Sequence, residues 1–337
     1  MSIVNDLVFP GDTLKDWEVR KRYIKHKLKE IIGIPPTKVV SLSPEVIEEI
    51  PCTGYKRVKI TYFVEKEDKC YAYLLVPNKV QKPSPAILCL HGTCREGKEQ
   101  CLGWRTPNRA YAVELARRGY VVLCPDCIAF GERVLPGSSV GDSTSFYKKY
   151  PEWSIWGKML WDNQRAIDFL STLDFVNPHK IGVIGHSLGG EATLWVSAFD
   201  KRVSVAVASG LDVKASAVYV FLKDYKFVYA PKFEKYFSER RKPPFENHEL
   251  MSLIAPRPFL AIVGNFDPLV PQNEYFSIMI HKLAQVYKLY NKENNLTYLV
   301  HGNGHNTDAL TRLYAYSWID FFLKGKEPEG FSANYFE

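Results

Sequence analysis

The sequence lacks any long uninterrupted apolar run. No stretch of its 337 residues approaches the roughly 20 apolar residues that a transmembrane helix needs. The first ten residues also lack the charged segment and long apolar segment that are typical of a secretory signal peptide. We therefore expect a cytoplasmic protein that does not bind a membrane.

A strong net charge and a regular cysteine pattern are missing as well. The chain has 44 basic and 37 acidic residues, a formal net charge of +7, and the two signs are mixed along it, so nucleic-acid binding is not expected. Its seven cysteines are odd in number and scattered, which favours reduced, buried thiols over a disulfide framework. Cys124-Pro125-Asp126-Cys127 has the C-x-x-C spacing of metal and redox sites, but no second such pair accompanies it, so we expect neither a metal nor an organic cofactor.

What the sequence does contain is a strand, a serine turn and a helix in succession. The β-branched run at 180–184 leads into Gly185-His186-Ser187-Leu188-Gly189-Gly190, and an apolar segment covers 192–199. A sharp turn of this kind exposes a serine hydroxyl above a sheet and requires small residues two positions before and after the serine. The pattern predicts Ser187 as a nucleophile, the alternative being a glycine-rich turn with an incidental serine.

A serine nucleophile needs a histidine base and a carboxylate that orients the base. In the hydrolases that use such a turn, the acid and the histidine follow the serine in that order along the chain. Asp267, in the loop after a predicted strand at 259–263, is the candidate acid, and Asp212 is its rival. His305 is the candidate base, ahead of His301, which lies at the end of the last predicted strand.

Stabilising the oxyanion requires two N–H donors aimed at the developing charge. One expected donor is the backbone N–H of Leu188, directly after the nucleophile. The other should lie in the loop after the strand at 86–90, where Thr93 is favoured and Cys94 is the alternative. We expect His91 to be a structural hydrogen-bonding residue in that loop, and His186 to point away from the site, inside the serine turn.

Repeated strand and helix signals predict an α/β fold with a mostly parallel central sheet and helices on both faces. We divide the chain into an N-terminal helical extension at 1–55, a catalytic domain at 56–326 and a C-terminal tail at 327–337. Two aromatic-rich insertions interrupt the alternation, at 130–156 and at about 211–255, and the second is a candidate lid. The N-terminal helix or this second insertion is expected to cover apolar surface, on its own domain or on a second subunit.

The motifs together resemble the serine α/β-hydrolases, in particular the dienelactone hydrolase-like group and acetyl xylan esterase-type carboxylesterases. The resemblance spans about 55–325 and rests on His91-Gly92, Pro125-Asp126, Phe130-Gly131-Glu132-Arg133, residues 185–190, Ala255-Pro256-Arg257-Pro258, Asp267 and His305. Glu132 and Arg133 are expected to pair with each other. Dienelactone hydrolases proper use a cysteine nucleophile, so Ser187 favours ordinary ester cleavage.

The leading hypothesis is a hydrolase of small-molecule carboxylic esters, with short-chain or acetyl esters favoured. Three alternatives stay open: a small oligopeptidase of the prolyl oligopeptidase type, a thioesterase, and a non-catalytic binding protein with a hydrolase fold. Prolyl oligopeptidases gate access with a large N-terminal propeller, and the roughly 80 residues before the predicted strand at 86–90 are too few to build one. A homo-oligomer is compatible with all of these readings.

Overall fold

The computed structural model describes residues 13–35, 38–211, 226–233, 245–270 and 276–327. Within them, nine strands form one sheet in the order β1-β2-β3-β5-β4-β6-β7-β8-β9. These strands are β1 (Glu45–Cys52), β2 (Tyr55–Glu65), β3 (Asp68–Pro77), β4 (Ser84–Leu90), β5 (Val121–Pro125), β6 (Val176–His186), β7 (Val203–Ser209), β8 (Phe259–Gly264) and β9 (Leu296–His301).

Eight α-helices lie in the same described ranges. They are α1 (Leu14–Ile32), α2 (Tyr111–Arg117), α3 (Thr144–Lys149), α4 (Ile155–Thr172), α5 (Leu188–Phe199), α6 (Asn247–Ser252), α7 (Phe276–Leu289) and α8 (Ala309–Lys324). Short 3-10 helices cover Gly97–Leu102, Pro107–Arg109, Gly131–Arg133 and Glu293–Asn295. None of the helices in the described ranges is long and apolar enough to cross a bilayer.

Two kinds of strand pairing divide the sheet. The first three strands pair antiparallel with one another, and β3 pairs antiparallel with β5. From β5 through β4, β6, β7 and β8 to β9 every pairing is parallel. The mostly parallel sheet predicted from the sequence is therefore present. Ser187 directly follows β6, at the carboxyl end of one of the parallel strands.

Both faces of the sheet are buried under helices. Neighbouring side chains of a strand point to opposite faces, so each central strand contributes to both buried layers. In β4, Leu88 belongs to a hydrophobic cluster that includes buried residues of α1, α4, α5, α6 and α7. Its neighbours Ile87 and Cys89 belong to a second cluster that includes residues of α2 and α8. The predicted layers, with helices on both faces, follow from this alternation.

Strand β1 lies inside the segment 1–55 that the sequence analysis treated as a helical extension. It pairs antiparallel with β2 at the edge of the sheet, from Glu45 opposite Thr61 to Cys52 opposite Tyr55. Its side chains are mostly exposed, so its sequence lacks the alternation of apolar and polar residues by which a half-buried strand is recognised. A purely helical extension was therefore wrong as a description of this segment.

Helix α1 covers apolar surface of its own chain. Trp17, Ile24 and Leu28 are buried on it, and the indole N–H of Trp17 donates to the hydroxyl of Tyr290 at 3.0 Å. Its N-terminus is capped, because the side chain of Thr13 accepts the N–H of Asp16. The sequence left open whether this helix covers apolar surface of its own domain or of a second subunit, and the structure shows it packed on its own chain.

The described parts of the second insertion join the core. Tyr229, Phe233 and Phe245 surround the buried ring of Trp156 in α4, with ring centroids between 5.3 and 5.8 Å from that of Trp156. Residues 212–225 and 234–244 of this insertion, together with 328–337 of the predicted tail, lie outside the described residues. A lid function therefore stays a prediction.

Candidate active site

Ser187 occupies a strained turn between β6 and α5. Its backbone has φ +58° and ψ −121°, in a region that non-glycine residues rarely adopt. The turn is tight enough that a Cβ atom at Gly185 would collide with the backbone of Gly189, and one at Gly189 with the carbonyl of Leu90. These contacts explain why glycines occupy both positions, and the turn leaves Ser187 half-buried at the head of the helix.

Asp267 and His305 form a direct hydrogen bond. The Nδ1 atom of His305 lies 2.7 Å from Oδ2 of Asp267, whose side chain is 1% exposed. The other oxygen of Asp267 accepts the N–H of Leu269 at 2.9 Å. Because the ionised carboxylate can only accept, Nδ1 of the histidine carries the proton and Nε2 stays available as an acceptor.

The ends of β8 and β9 bring this pair together. The N–H of Asn265 donates to the carbonyl of His301 at 2.7 Å, which joins the two loops. A Cβ atom at Gly264 would collide with the carbonyl of Gly304, so the close approach of the two loops depends on a glycine there. Phe266, with φ +56°, then turns the chain so that Asp267 is buried behind the histidine.

Ser187 and His305 line one cavity of about 470 Å³. This volume lies in the range of small-molecule sites. Among the residues that the structure describes, no hydrogen bond joins the serine hydroxyl to His305, and such contacts are often long without a bound substrate. Phe130, Val140 and Gly141, from the first insertion, contribute to the wall.

The candidate oxyanion donors are placed as follows. Leu188 is the first residue of α5, so its N–H lies at the positive end of the helix, which favours negative charge. Thr93 and Cys94 both line the cavity, whereas the N–H of Gly92 is already donated to Oε1 of Gln100 at 2.7 Å. In the described part of the chain no hydrogen bond uses the N–H of Leu188, Thr93 or Cys94. Both alternatives for the second donor remain.

His186 was expected to point away from the site, and this expectation was wrong. Its ring lines the cavity, with its centroid 4.6 Å from that of His305. Arg109 lies 2.7 Å from its Nε2 atom, and Ser209 lies 3.0 Å from its Nδ1 atom. Because the guanidinium can only donate, Nδ1 carries the proton and donates to the serine. Burial and the nearby charge of Arg109 hold the pKa of His186 well below its usual value, so the ring stays neutral.

Arg109 is the main residue of the site that sequence reasoning missed. It is 6% exposed and donates to the backbone carbonyl of His305 at 3.0 Å and to the hydroxyl of Thr307 at 2.5 Å. It is the last residue of the 3-10 helix Pro107–Arg109, which begins with a proline. No local pattern marks an arginine whose partners lie between 77 and 198 positions further along the chain.

The remaining candidates of the sequence analysis are placed as follows. His91 has the expected structural role: Nδ1 donates to the carbonyl of Gly92 at 2.7 Å, and Nε2 accepts the N–H of Cys127 at 2.9 Å. His301 accepts the N–H of Asn303 and, among the described residues, makes no hydrogen bond to Asp267. Asp212, the rival acid, lies outside the described residues.

A strained serine between a strand and a helix, with an aspartate–histidine pair on later loops, is the arrangement of an α/β-hydrolase. The comparison with family models agrees: the Abhydrolase family model matches residues 7–217, and the Prolyl oligopeptidase family model matches residues 138–324. The chain belongs to the Abhydrolase family, and its second half also has the sequence pattern of the Prolyl oligopeptidase family. The fold class predicted from the sequence is confirmed.

Two curated relatives are similar in sequence. YtaP of Bacillus subtilis (strain 168), provisionally described as a hydrolase, is 30% identical over 267 residues, which cover 76% of this chain and 84% of YtaP. Carbohydrate esterase MZ0003, from an unknown prokaryotic organism, is 28% identical over 251 residues, which cover 61% of this chain and 57% of that protein.

Solved structures share the fold. A glucuronoyl esterase from Solibacter usitatus superposes with a TM-score of 0.72 at 18% identity, covering 91% of this chain and 93% of that one. A CE15 glucuronoyl esterase from Teredinibacter turnerae T7901 gives 0.71 at 18% identity, with coverages of 93% and 86%. A protein from Bacteroides fragilis NCTC 9343, provisionally described as an acetyl xylan esterase, gives 0.66 at 19% identity, with coverages of 87% and 76%.

Proposed function

We propose that this protein is a serine hydrolase of carboxylic esters. The observation that carries the proposal is the hydrogen bond of 2.7 Å between His305 and Asp267, on the wall of the cavity that also contains Ser187. With Nδ1 bonded to Asp267, Nε2 of His305 is the ring atom left to accept a proton, and His305 lines the cavity. A serine at a strained turn, a base and a buried carboxylate form the set that acyl transfer requires.

In the proposed reaction, the Ser187 hydroxyl attacks the ester carbonyl carbon while Nε2 of His305 takes its proton. The N–H of Leu188 and that of Thr93 or Cys94 stabilise the oxyanion. His305 then protonates the departing alcohol, which leaves an acyl group on the serine. Water attacks this acyl-enzyme with His305 again as the base, the acid departs, and the serine regains its proton. Asp267 stays ionised and stabilises the charged imidazolium.

The substrates that we propose are short-chain or acetyl esters, and they include esters in which the alcohol or the acid is a carbohydrate. The cavity of about 470 Å³ must hold both sides of the scissile bond. Support for a carbohydrate comes from relatives: a carbohydrate esterase is similar in sequence, and glucuronoyl esterases share the fold. None of the proposed steps requires a metal or an organic cofactor.

The test is hydrolysis of p-nitrophenyl acetate, butyrate and octanoate by the wild type, His305→Gln and His301→Gln. The proposal predicts turnover that is highest on the short esters, a loss of at least about 1,000-fold in His305→Gln, and near-normal activity in His301→Gln. His301 belongs to the same pair of loops and therefore controls for a general disturbance. Equal losses in the two variants would contradict the assigned base.

An oligopeptidase is the second candidate, because residues 138–324 match the Prolyl oligopeptidase family model. The same triad would then attack an amide carbonyl, and His305 would protonate a departing amine. Glycyl-prolyl p-nitroanilide measured beside p-nitrophenyl acetate separates the two. A higher kcat/KM on the anilide than on the ester would favour the peptidase. Ester turnover without any hydrolysis of the anilide would favour the esterase.

A further inference from the structure

A second recess of about 270 Å³ adjoins the catalytic cavity. Arg95 lines both, and it lies two residues after Thr93 on the same loop. The rest of the recess is formed by Glu96, the 3-10 helix Gly97–Leu102, the turn that follows it, and Gly131 and Glu132. A substrate that extends out of the catalytic cavity past Arg95 would therefore enter this recess.

The side chain of Trp104 is exposed at the recess. It is 60% exposed, and within the described residues its ring has no stacking partner and its indole N–H no hydrogen bond. The backbone beneath it is ordered, because the N–H of Trp104 donates to the carbonyl of Glu99 at 3.2 Å and the N–H of Gly103 to that of Gln100 at 2.9 Å. A large aromatic face is thus held out to solvent on a fixed turn, as it is in many binding sites.

Most charges around the recess are neutralised by partners. Arg105 pairs with Glu96 at 3.1 Å, and Glu132 pairs with Lys59 at 2.8 Å and with the buried Lys98. Lys98 also pairs with Asp126 at 2.7 Å. These pairs fix the walls, and they leave little net charge for the recognition of an ion.

Two charged groups of the recess have no such partner. In the described part of the chain, no ion pair and no side-chain hydrogen bond involves Arg95 or Glu99. One of them can only donate hydrogen bonds and the other, when ionised, can only accept them. Beside the face of Trp104, they offer a donor and an acceptor of opposite charge, which suits neither a simple anion nor a simple cation.

We propose that this recess is a subsite for a neutral pyranose ring of the substrate, next to the ester that is cleaved. The apolar C–H face of the sugar stacks on Trp104, and its hydroxyl groups bind to Glu99 and Arg95. An alkyl chain would gain nothing from these two charges. This inference rests on the proposed function in one respect, that the sugar belongs to the ester that is cleaved. The binding of a sugar to the recess can be measured without catalysis.

The binding test uses calorimetric titration of xylotetraose and cellotetraose into the wild type, Trp104→Ala, Trp104→Phe and Tyr314→Ala. Tyr314 is a second exposed aromatic, on α8 and outside the recess, and it serves as the control. We expect at least one sugar to bind the wild type and Tyr314→Ala alike, about tenfold more weakly to Trp104→Ala, and with intermediate affinity to Trp104→Phe. No binding to the wild type, or equal binding to Trp104→Ala, would overturn the proposal.

The kinetic test compares kcat/KM on acetylated xylotetraose with kcat/KM on p-nitrophenyl acetate. The ratio should fall about tenfold in Trp104→Ala and in Glu99→Gln, mainly through KM, and stay at the wild-type value in Tyr314→Ala. A ratio unchanged in Trp104→Ala would overturn the subsite. Failure of the wild type to cleave either ester would instead refute the proposed function, and calorimetry would still decide whether the recess binds sugar.

Discussion

Arg109 donates a hydrogen bond from its guanidinium to the backbone carbonyl of His305, with 3.0 Å between the two atoms. The same guanidinium lies 2.7 Å from His186, whose ring stands beside that of His305. One buried cation therefore fixes the backbone of the proposed base on one side and its neighbouring ring on the other. Arg109 is a positioning residue in this arrangement, because its partners are protein groups and not the reacting atoms.

Replacing Arg109 by Lys should lower kcat for p-nitrophenyl acetate roughly 10- to 100-fold with a smaller change in KM. An ammonium group cannot reproduce the planar fork that reaches two or three partners at once, and a small displacement of a catalytic base is costly. Steady-state kinetics measure the split. Arg118→Lys, a change of an exposed arginine in an ion pair with Asp320 at 2.6 Å, is the control and should keep wild-type kinetics.

Asp267→Asn should reduce kcat about 1,000- to 10,000-fold, because an amide can donate to Nδ1 and so favour the wrong tautomer of His305. The matched variant is Asp212→Asn, which changes the rival acid of the sequence analysis. Steady-state kinetics on p-nitrophenyl butyrate separate the two. A large loss in Asp212→Asn together with near-normal activity in Asp267→Asn would reverse the assignment of the acid.

The second oxyanion donor can be identified by removing a single backbone N–H. Incorporating the α-hydroxy analogue of threonine at 93 replaces the N–H by an oxygen and keeps the side chain. If Thr93 is the donor, kcat should fall about 100- to 1,000-fold, the usual effect of losing one oxyanion-hole donor. The corresponding analogue at Cys94 is the control. A loss confined to the Cys94 analogue would assign the role to that residue.

Glu191, one turn into α5, makes stability depend on pH. Burial raises the pKa of its carboxyl to about 7, against the opposing effect of one hydrogen bond from the indole of Trp195. Since the folded state holds this proton more tightly than the unfolded state, the free energy of unfolding decreases as pH rises from about 4.5 to about 7. The loss amounts to roughly 3 kcal/mol at pH 8.

Glu191→Gln should remove this dependence and stabilise the protein at pH 8, because the amide is neutral and its oxygen still accepts the Trp195 N–H. Urea unfolding at pH 5 and pH 8 measures the difference. Glu48→Gln, on the exposed strand β1, should leave the pH dependence as it is in the wild type. If the stability of Glu191→Gln fell with pH as steeply as that of the wild type, the raised pKa assigned to the buried Glu191 carboxyl would be contradicted.

Local sequence patterns predicted most of the fold. A helix in the N-terminal segment and a helix behind Ser187 were expected, and α1 and α5 lie there. The buried stripe and the N-terminal cap of α1 and the apolar run of α5 are properties of neighbouring residues. The parallel strands were recognised since both of their faces are buried, so that they read as apolar runs. Strand β1 carries its side chains in solvent and offered no such signal.

Contacts between distant residues could not be predicted in the same way. Arg133 was expected to pair with its neighbour Glu132, which was wrong: it binds Asp68 at 2.6 Å and Asp162 at 2.7 Å in a buried network. Likewise, Asp267 and His305 could be proposed from the order of motifs, whereas the guanidinium of Arg109 between two histidines could not. Such partners depend on which loops meet above the sheet, and this is decided by the fold as a whole.

The central claim is that Ser187 forms an acyl-enzyme. Its most direct measurement treats wild-type protein and Ser187→Ala with a fluorophosphonate probe, maps the label by mass spectrometry, and follows p-nitrophenyl acetate hydrolysis in parallel. The account predicts one label per wild-type chain, on Ser187, with label and turnover both abolished in Ser187→Ala. A label on another residue, or ester turnover that persists in Ser187→Ala, would contradict it.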